Sequence, residues 1–332
     1  YAALVTNSTD AGPGSLRDTI AITPSGGSIF FDPDLSGATI TLANGQLGIF
    51  KDLTIDGSFP PRGITIDADG QNTNHRVLLV GLGSTVTLNA LTFSGGKATG
   101  GFPDNLGGGI ANDGTLGLLN STVTSNSADI GGGIYNSGNL SVASSTIAGN
   151  SANTGAGIHH RLGTFTLTSS TTSGNTATGS GGGIMAEAPL SFTNSIVAAN
   201  SAAIQPDIGR TAGSVLVSAT GVNLLSSLTG SGLSTGPNVL LGNPRLEPLG
   251  HNGGPTPTMA LRPASPAIDA ASGTLCATDQ RGLPRSLVGG PDLGAYELAT
   301  SNLSTSGLTI HGEVPPTITG GVEFDLLTTS IS

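Results

Sequence analysis

Along most of this chain, single apolar residues alternate with Ser, Thr, Asn or Gly over short runs. Leu140 and Val142, Phe165 and Leu167, and Leu190 and Phe192 are examples. Period-two alternation of this kind predicts short strands with one buried face. No run sustains a 3.6-residue apolar period over helical length. Each run ends in Gly, Asn or Ser, which supply turns and left-handed backbone.

The pattern repeats. Residues 107–128 read GGGIANDGTLGLLNSTVTSNSA, residues 131–152 read GGGIYNSGNLSVASSTIAGNSA, and residues 155–177 read GAGIHHRLGTFTLTSSTTSGNTA. The Ile after the glycines falls at Ile110, Ile134, Ile158 and Ile184, in steps of 24, 24 and 26 residues. The Asn closing each unit falls at Asn126, Asn150, Asn175 and Asn200, in steps of 24, 25 and 25. A fixed period in this range marks a solenoid. Such a unit has room for about three short strands and three turns, one coil of a right-handed parallel β-helix. Equivalent residues of successive coils then stack about 4.8 Å apart. Val123, Ile147, Thr172 and Val197 should form one inward column. The Asn column either forms a ladder of side-chain amides or occupies left-handed turn positions; both roles are structural.

Four regions follow, in an all-β chain. Residues 1–39 should cap the N-terminal end: Ser15 and Asp18 make a helix N-cap, with Leu16 and Ile20 on one face. Residues 40–240 should form the β-helix. Residues 241–297, rich in Pro and Gly, read as an irregular C-terminal closure. Residues 298–332 read as a linker and an extended tail, with apolar stripes at Leu308 and Ile310 and at Val322, Phe324 and Leu326.

Composition narrows the function. Charged residues are 10% of the 332, the net charge is −10, and Lys51 and Lys97 are the two lysines. An acidic, lysine-poor surface is a poor partner for nucleic acid or anionic membrane. No apolar stretch is long enough to span a bilayer. Cys276 is the single cysteine, so no intrachain disulfide forms. The chain begins at Tyr1 without a basic or apolar leader, which points to a mature secreted protein whose signal peptide has been removed; a trimmed chain is the alternative.

The start GPGSLRDTIA, the GGGIYN-type repeats and the end SPAIDAA…TDQRGLPR…PDLGAYE together resemble bacterial surface proteins with polymorphic outer-membrane-protein-like β-helix repeats and a choice-of-anchor-type closure. The resemblance covers roughly residues 4–297 and implies the fold and a place at the cell surface, not an activity. The group often carries a Cys where Pro291 stands here, which leaves Cys276 without the partner the resemblance implies. A second departure is His159-His160-Arg161, where neighbouring coils carry Tyr135-Asn136-Ser137 or Met185-Ala186-Glu187.

Parallel β-helices host polysaccharide lyases and hydrolases, so catalytic residues need a search. Glycoside hydrolysis uses two carboxylates on one surface. Between residues 91 and 200 the acids are Asp104, Asp113, Asp129 and Glu187, at different places in their coils. Lys97 and Arg161 are the bases there, apart from histidine. His159, His160 and Arg161 are the candidate ligand-binding residues, but adjacent strand residues face opposite ways, so both histidines cannot serve one exposed site. Asp67-Ala68-Asp69-Gly70 is half of a calcium loop without the further acids, and reads as a turn. Gly107 to Gly109 lack the Lys-Ser/Thr of a phosphate loop. Asp279 and Arg281 read as a structural ion pair. Aromatic platforms for sugars are scarce, with no Trp and three Tyr.

These observations lead us to expect a secreted structural protein of the cell surface. It would form a filament or sheath through contacts between copies, with part of residues 303–332 donated to a neighbour; folding of the tail back onto its own β-helix is the alternative. No catalytic residue, metal or cofactor is expected. A cell-surface polysaccharide is a further candidate partner. A carbohydrate-active β-helix and an adhesin-type binding module are the alternatives.

Overall fold

A computed structural model describes residues 1–211, 215–273, 275–285 and 289–298. The tail residues Leu308, Ile310, Val322, Phe324 and Leu326 lie outside these described residues. The body is a parallel β-helix. Its coils wind through three long sheets: sheet A and sheet B of nine strands each, and sheet C of seven. Sheet A runs from Ala2–Val5 to Val217–Thr220, sheet B from Thr39–Thr41 to Val239–Leu241, and sheet C from Leu47–Ile49 to Ile208–Arg210.

The repeat spacing translates directly into register. Ile110, Ile134, Ile158 and Ile184 pair in one column of sheet C, which Leu78 extends upward and Ile208 downward. Val123, Ile147, Thr172 and Val197 pair in sheet B. Both columns are fully buried. The Thr172 hydroxyl is buried in its column without a hydrogen-bond partner.

Two corners are built alike. At the turn from sheet A to sheet B, Asn120, Ser144, Ser169 and Asn194 adopt φ of 43 to 51°. The next residue is Ser in each coil, and its hydroxyl accepts from the serine amide one coil earlier: Ser121 N–H to Ser145 Oγ (3.1 Å), Ser145 to Ser170 (3.1 Å), Ser170 to Ser195 (3.2 Å). At the far end of sheet B the Asn column does the same with amides. Asn126 Nδ2 donates to Asn150 Oδ1 at 3.0 Å, Asn150 to Asn175 at 2.9 Å, and Asn175 to Asn200 at 3.0 Å. The left-handed position expected as one option for these Asn belongs instead to the residue before each: Ser125, Gly149, Gly174 and Ala199. The amide must point inward to reach its neighbour, so the reversal is made one residue earlier.

Between this corner and sheet C the structure adds a fourth strand that the three-strand expectation lacked. Lys97–Ala98, Ser127–Ile130, Ser151–Thr154 and Thr176–Ser180 form sheet D. Its buried side chains are alanines, Ala98, Ala128, Ala152 and Ala177, too small to stand out as an apolar period. The GGG run then returns the chain to sheet C. Gly131 adopts φ 70°. A Cβ at Gly133 would lie 2.5 Å from Gly157 O and 3.0 Å from Asn150 Nδ2, so a side chain there would break the asparagine ladder.

The ends and the flank complete the body. Helix α1 (Leu16–Ile22) starts at Ser15, whose Oγ accepts from Asp18 N–H at 3.2 Å, and buries Leu16 and Ile20 in the core. Ala2–Val5 and Gly27–Phe31, within the stretch expected to be cap alone, already belong to sheet A. At the other end Leu228 and Leu233 pack against the core. The stretch 241–297 is expected to close that end; past Leu241 its described residues instead run along the outer face of sheet B. Leu261, Ala267 and Leu293 pack there on Ile196, Ala198 and Leu224. The sheet B threonines point outward and hold it: Thr122 Oγ1 donates to Pro257 O (2.7 Å), Thr146 Oγ1 to Gln280 Oε1 (2.6 Å), and Thr171 Oγ1 accepts from Ala295 N–H (3.0 Å).

Candidate functional site

The His159-His160-Arg161 anomaly lies on the sheet C strand Ile158–His160 and just beyond it. Alternation turns the two histidines apart, and each meets a different column. His160 follows Asn112 and Asn136 in the inward corner column. Asn112 Nδ2 donates to Asn136 Oδ1 at 2.6 Å, and Asn136 Nδ2 lies 2.9 Å from His160 Nδ1. An amide N–H can only donate, so Nδ1 is the acceptor and the proton sits on Nε2, which donates to Pro189 O at 3.1 Å. The ring also makes an edge contact with Phe165. Burial holds the His160 imidazole below its ordinary value. A second ring proton would face the Asn136 donor, so His160 is a neutral rung of an amide ladder.

His159 faces outward, in the column Ala111, Tyr135, His159, Met185 and Gly209. Its ring stacks on Tyr135, with centroids 5.6 Å apart and planes at 17°. Its Nε2 meets Glu187 Oε1 at 3.2 Å. Arg161, exposed, donates from Nη1 to the Tyr135 hydroxyl at 3.1 Å. Burial holds His159 below its ordinary value, and Glu187 pulls it back only in part. Three coils thus bring a phenol, an imidazole, a guanidinium and a carboxylate together on one side of sheet C, the Tyr135 and His159 rings buried and Arg161 and Glu187 exposed.

Tyr135 and Glu187 are the members that sequence reasoning did not assign to a site. Their signal was the repeat: Tyr135 is the counterpart of His159 one coil earlier, and Glu187 stands two residues past its counterpart Met185. Asp207 was missed too. It is fully buried and ends the asparagine ladder, accepting from Asn200 Nδ2 at 3.1 Å and from the Ser226 and Ser227 amides at 2.8 and 2.7 Å.

In this arrangement the His159 ring offers no free lone pair to a substrate. His159 Nε2 is taken by Glu187, and Nδ1 is buried without a partner. A general base must present a free lone pair to the substrate proton. Arg161 and the exposed side of Glu187 remain available to a ligand. The other acids of these coils are dispersed: Asp113 accepts from Ser137, and Asp129 from Asn105. Asp67 Oδ1 accepts from Asp69 N–H at 2.7 Å, and Asp69 has φ 51°, a turn as expected. Among the described residues no group of His, Cys, Asp and Glu is placed to hold a metal ion. No helix of the described residues is long and apolar enough to cross a membrane.

A second broad surface is the outer face of sheet A, which presents Thr85, Thr87, Thr115, Ser141 and Thr166 to solvent or near it. These five positions carry hydroxyls and no aromatic ring. No protein family matches the chain, and no curated protein is significantly similar to it.

Proposed function

We propose that this chain is a secreted structural protein of the cell surface, a subunit of an extracellular filament or sheath. Copies join head to tail, and strand-like parts of residues 303–332 add to a neighbour. The observation that supports the reading is the regular register of the coils in sheets A, B and C: apolar columns and three ladders of neutral polar side chains run tier to tier, and many of the inward polar residues hold tiers together. A β-helix is stiff for that reason, because each coil contacts its neighbours through many strand bonds. The resemblance of the start, repeats and end to cell-surface β-helix proteins points the same way.

A carbohydrate-active or adhesive role is the second reading, favoured by exposed Arg161 and Glu187 beside the buried Tyr135 and His159 rings. Arg161 suits the carboxylate of an acidic polysaccharide. The engagement of His159 with Glu187 argues against catalysis there and leaves simple binding.

Deleting residues 300–332 tests the first reading. The expected product is a soluble, folded monomer that no longer assembles. A truncated protein that forms the same assemblies as the full chain removes the tail from the account.

A further inference from the structure

The head-to-tail reading leaves open which surfaces meet, and the ends of sheet A supply an answer. In the first strand, Tyr1 O accepts from Ser28 N–H and Val5 O accepts from Asp32 N–H. Tyr1, Ala3 and Val5 therefore direct their backbone groups at the next strand. Ala2 and Leu4 direct theirs outward, where no described residue meets them. In the last strand, Leu216 O accepts from Leu190 N–H, so Val217 and Ala219 face outward. Among the described residues, Ala219 O alone of these groups has a partner, Asn238 Nδ2 at 3.1 Å, and a carbonyl has a second lone pair.

Both edges belong to the same parallel sheet, one at each end, so translation along the solenoid axis brings them together in parallel. The phase also fits. With Ala2 opposite Ser218, Ala3 opposite Ala219 and Leu4 opposite Thr220, the outward groups of one strand meet those of the other. Three bonds form: Ala2 N–H to Val217 O, Ala219 N–H to Ala2 O, and Leu4 N–H to Ala219 O. The same register keeps in-facing Ala3 over in-facing Ala219, as the pleat requires. Apolar surface is exposed at both ends: Tyr1 (72%), Leu4 (49%) and Ile22 (71%) at the first, Leu216 (66%) and Leu241 (52%) at the last. Helix α1 and the Leu228–Leu233 stretch shield the core at each end, yet no described strand pairs with either sheet A edge, the feature natural proteins otherwise blunt.

We infer that the strand Ala2–Val5 of one copy pairs with Val217–Thr220 of the next, continuing sheet A across the junction. This rests on the filament reading and adds to its tail strand a second contact, both being needed for assembly. Such a contact is heterologous and does not close on itself, so it propagates.

Two variants test it. Leu4→Pro removes an N–H that the monomer's own ladder does not use, a place where an edge strand tolerates proline. It should keep the wild-type circular dichroism and lose the filaments. In a Cys276→Ala background, Ala2→Cys with Ser218→Cys places two thiols side by side across the junction. Oxidation should give a ladder of covalent oligomers beyond the dimer, which neither single cysteine gives. Wild-type filaments together with an Leu4→Pro protein that still assembles, or with no ladder from the double cysteine, overturn the junction and leave the filament reading standing. A wild-type protein that stays monomeric sinks both.

Discussion

The middle coils and the flank segment 241–298 solve the same problem by opposite means. The coils bury neutral polar groups in repeated rungs, each bonded to its copy one coil away. The flank buries charge. Arg285 pairs with Glu297 at 3.4 Å and donates to Gly294 O at 2.7 Å; Arg281 pairs with Asp279 at 2.7 Å and lies over the Tyr296 ring. Gln280 donates to Thr122 Oγ1 and Thr256 Oγ1 at 2.8 Å each. Burial pushes the Asp292 carboxyl up to about 6, against the Leu298 and Asp269 amides that bond to it. A repeat lets one modest interaction recur. A segment that crosses the coils once has no repeat to lean on, so its specificity is concentrated in a few charged and amide groups.

The comparison predicts different failures. Arg285→Ala leaves the buried Glu297 carboxylate without this cation, a loss of about 3–5 kcal/mol for a broken buried pair. The damage should stay in the flank: limited proteolysis should cut within 256–297 while the coils keep their hydrogen-exchange protection. Global unfolding with no such intermediate would show that flank and coils are one cooperative unit.

Asn150→Ala should cost about 3 kcal/mol, because it strips Val123 O and the Asn126 amide of their partners at once. Here the loss should appear in the urea midpoint of the coils themselves. A change under about 1 kcal/mol would mean that the ladder is ornament to the strand bonds.

The smallest effect belongs to His160→Asn, which restores the rung that Asn112 and Asn136 occupy in earlier coils. At pH 7 the stability should barely move. The acid response should change. With its folded value depressed, His160 binds fewer protons folded than unfolded, so stability is lost as pH falls below about 6.5. The variant should lose less melting temperature between pH 7 and pH 5 than the wild type. An equal loss in both would assign the acid sensitivity elsewhere.

These contrasts also explain what the sequence could reveal. The Ile, Val and Asn columns were legible because spacing alone places them. Helix α1 was legible from Ser15 and Asp18. Sheet D was not, since a lone Ala in each run carries no visible apolar period. The path of the flank was hidden for another reason: Gln280 meets Thr122 and Thr146 across 158 and 134 residues, and no local pattern encodes such a pairing. The His159–Glu187 contact lay between, readable only once the coil length was used to align neighbours.

Electron microscopy of the concentrated full-length protein tests the central claim most directly. Nine sheet A strands per copy, at ~4.8 Å each, predict filaments with an axial repeat of about 43 Å. Monodisperse single particles at every concentration would contradict the account.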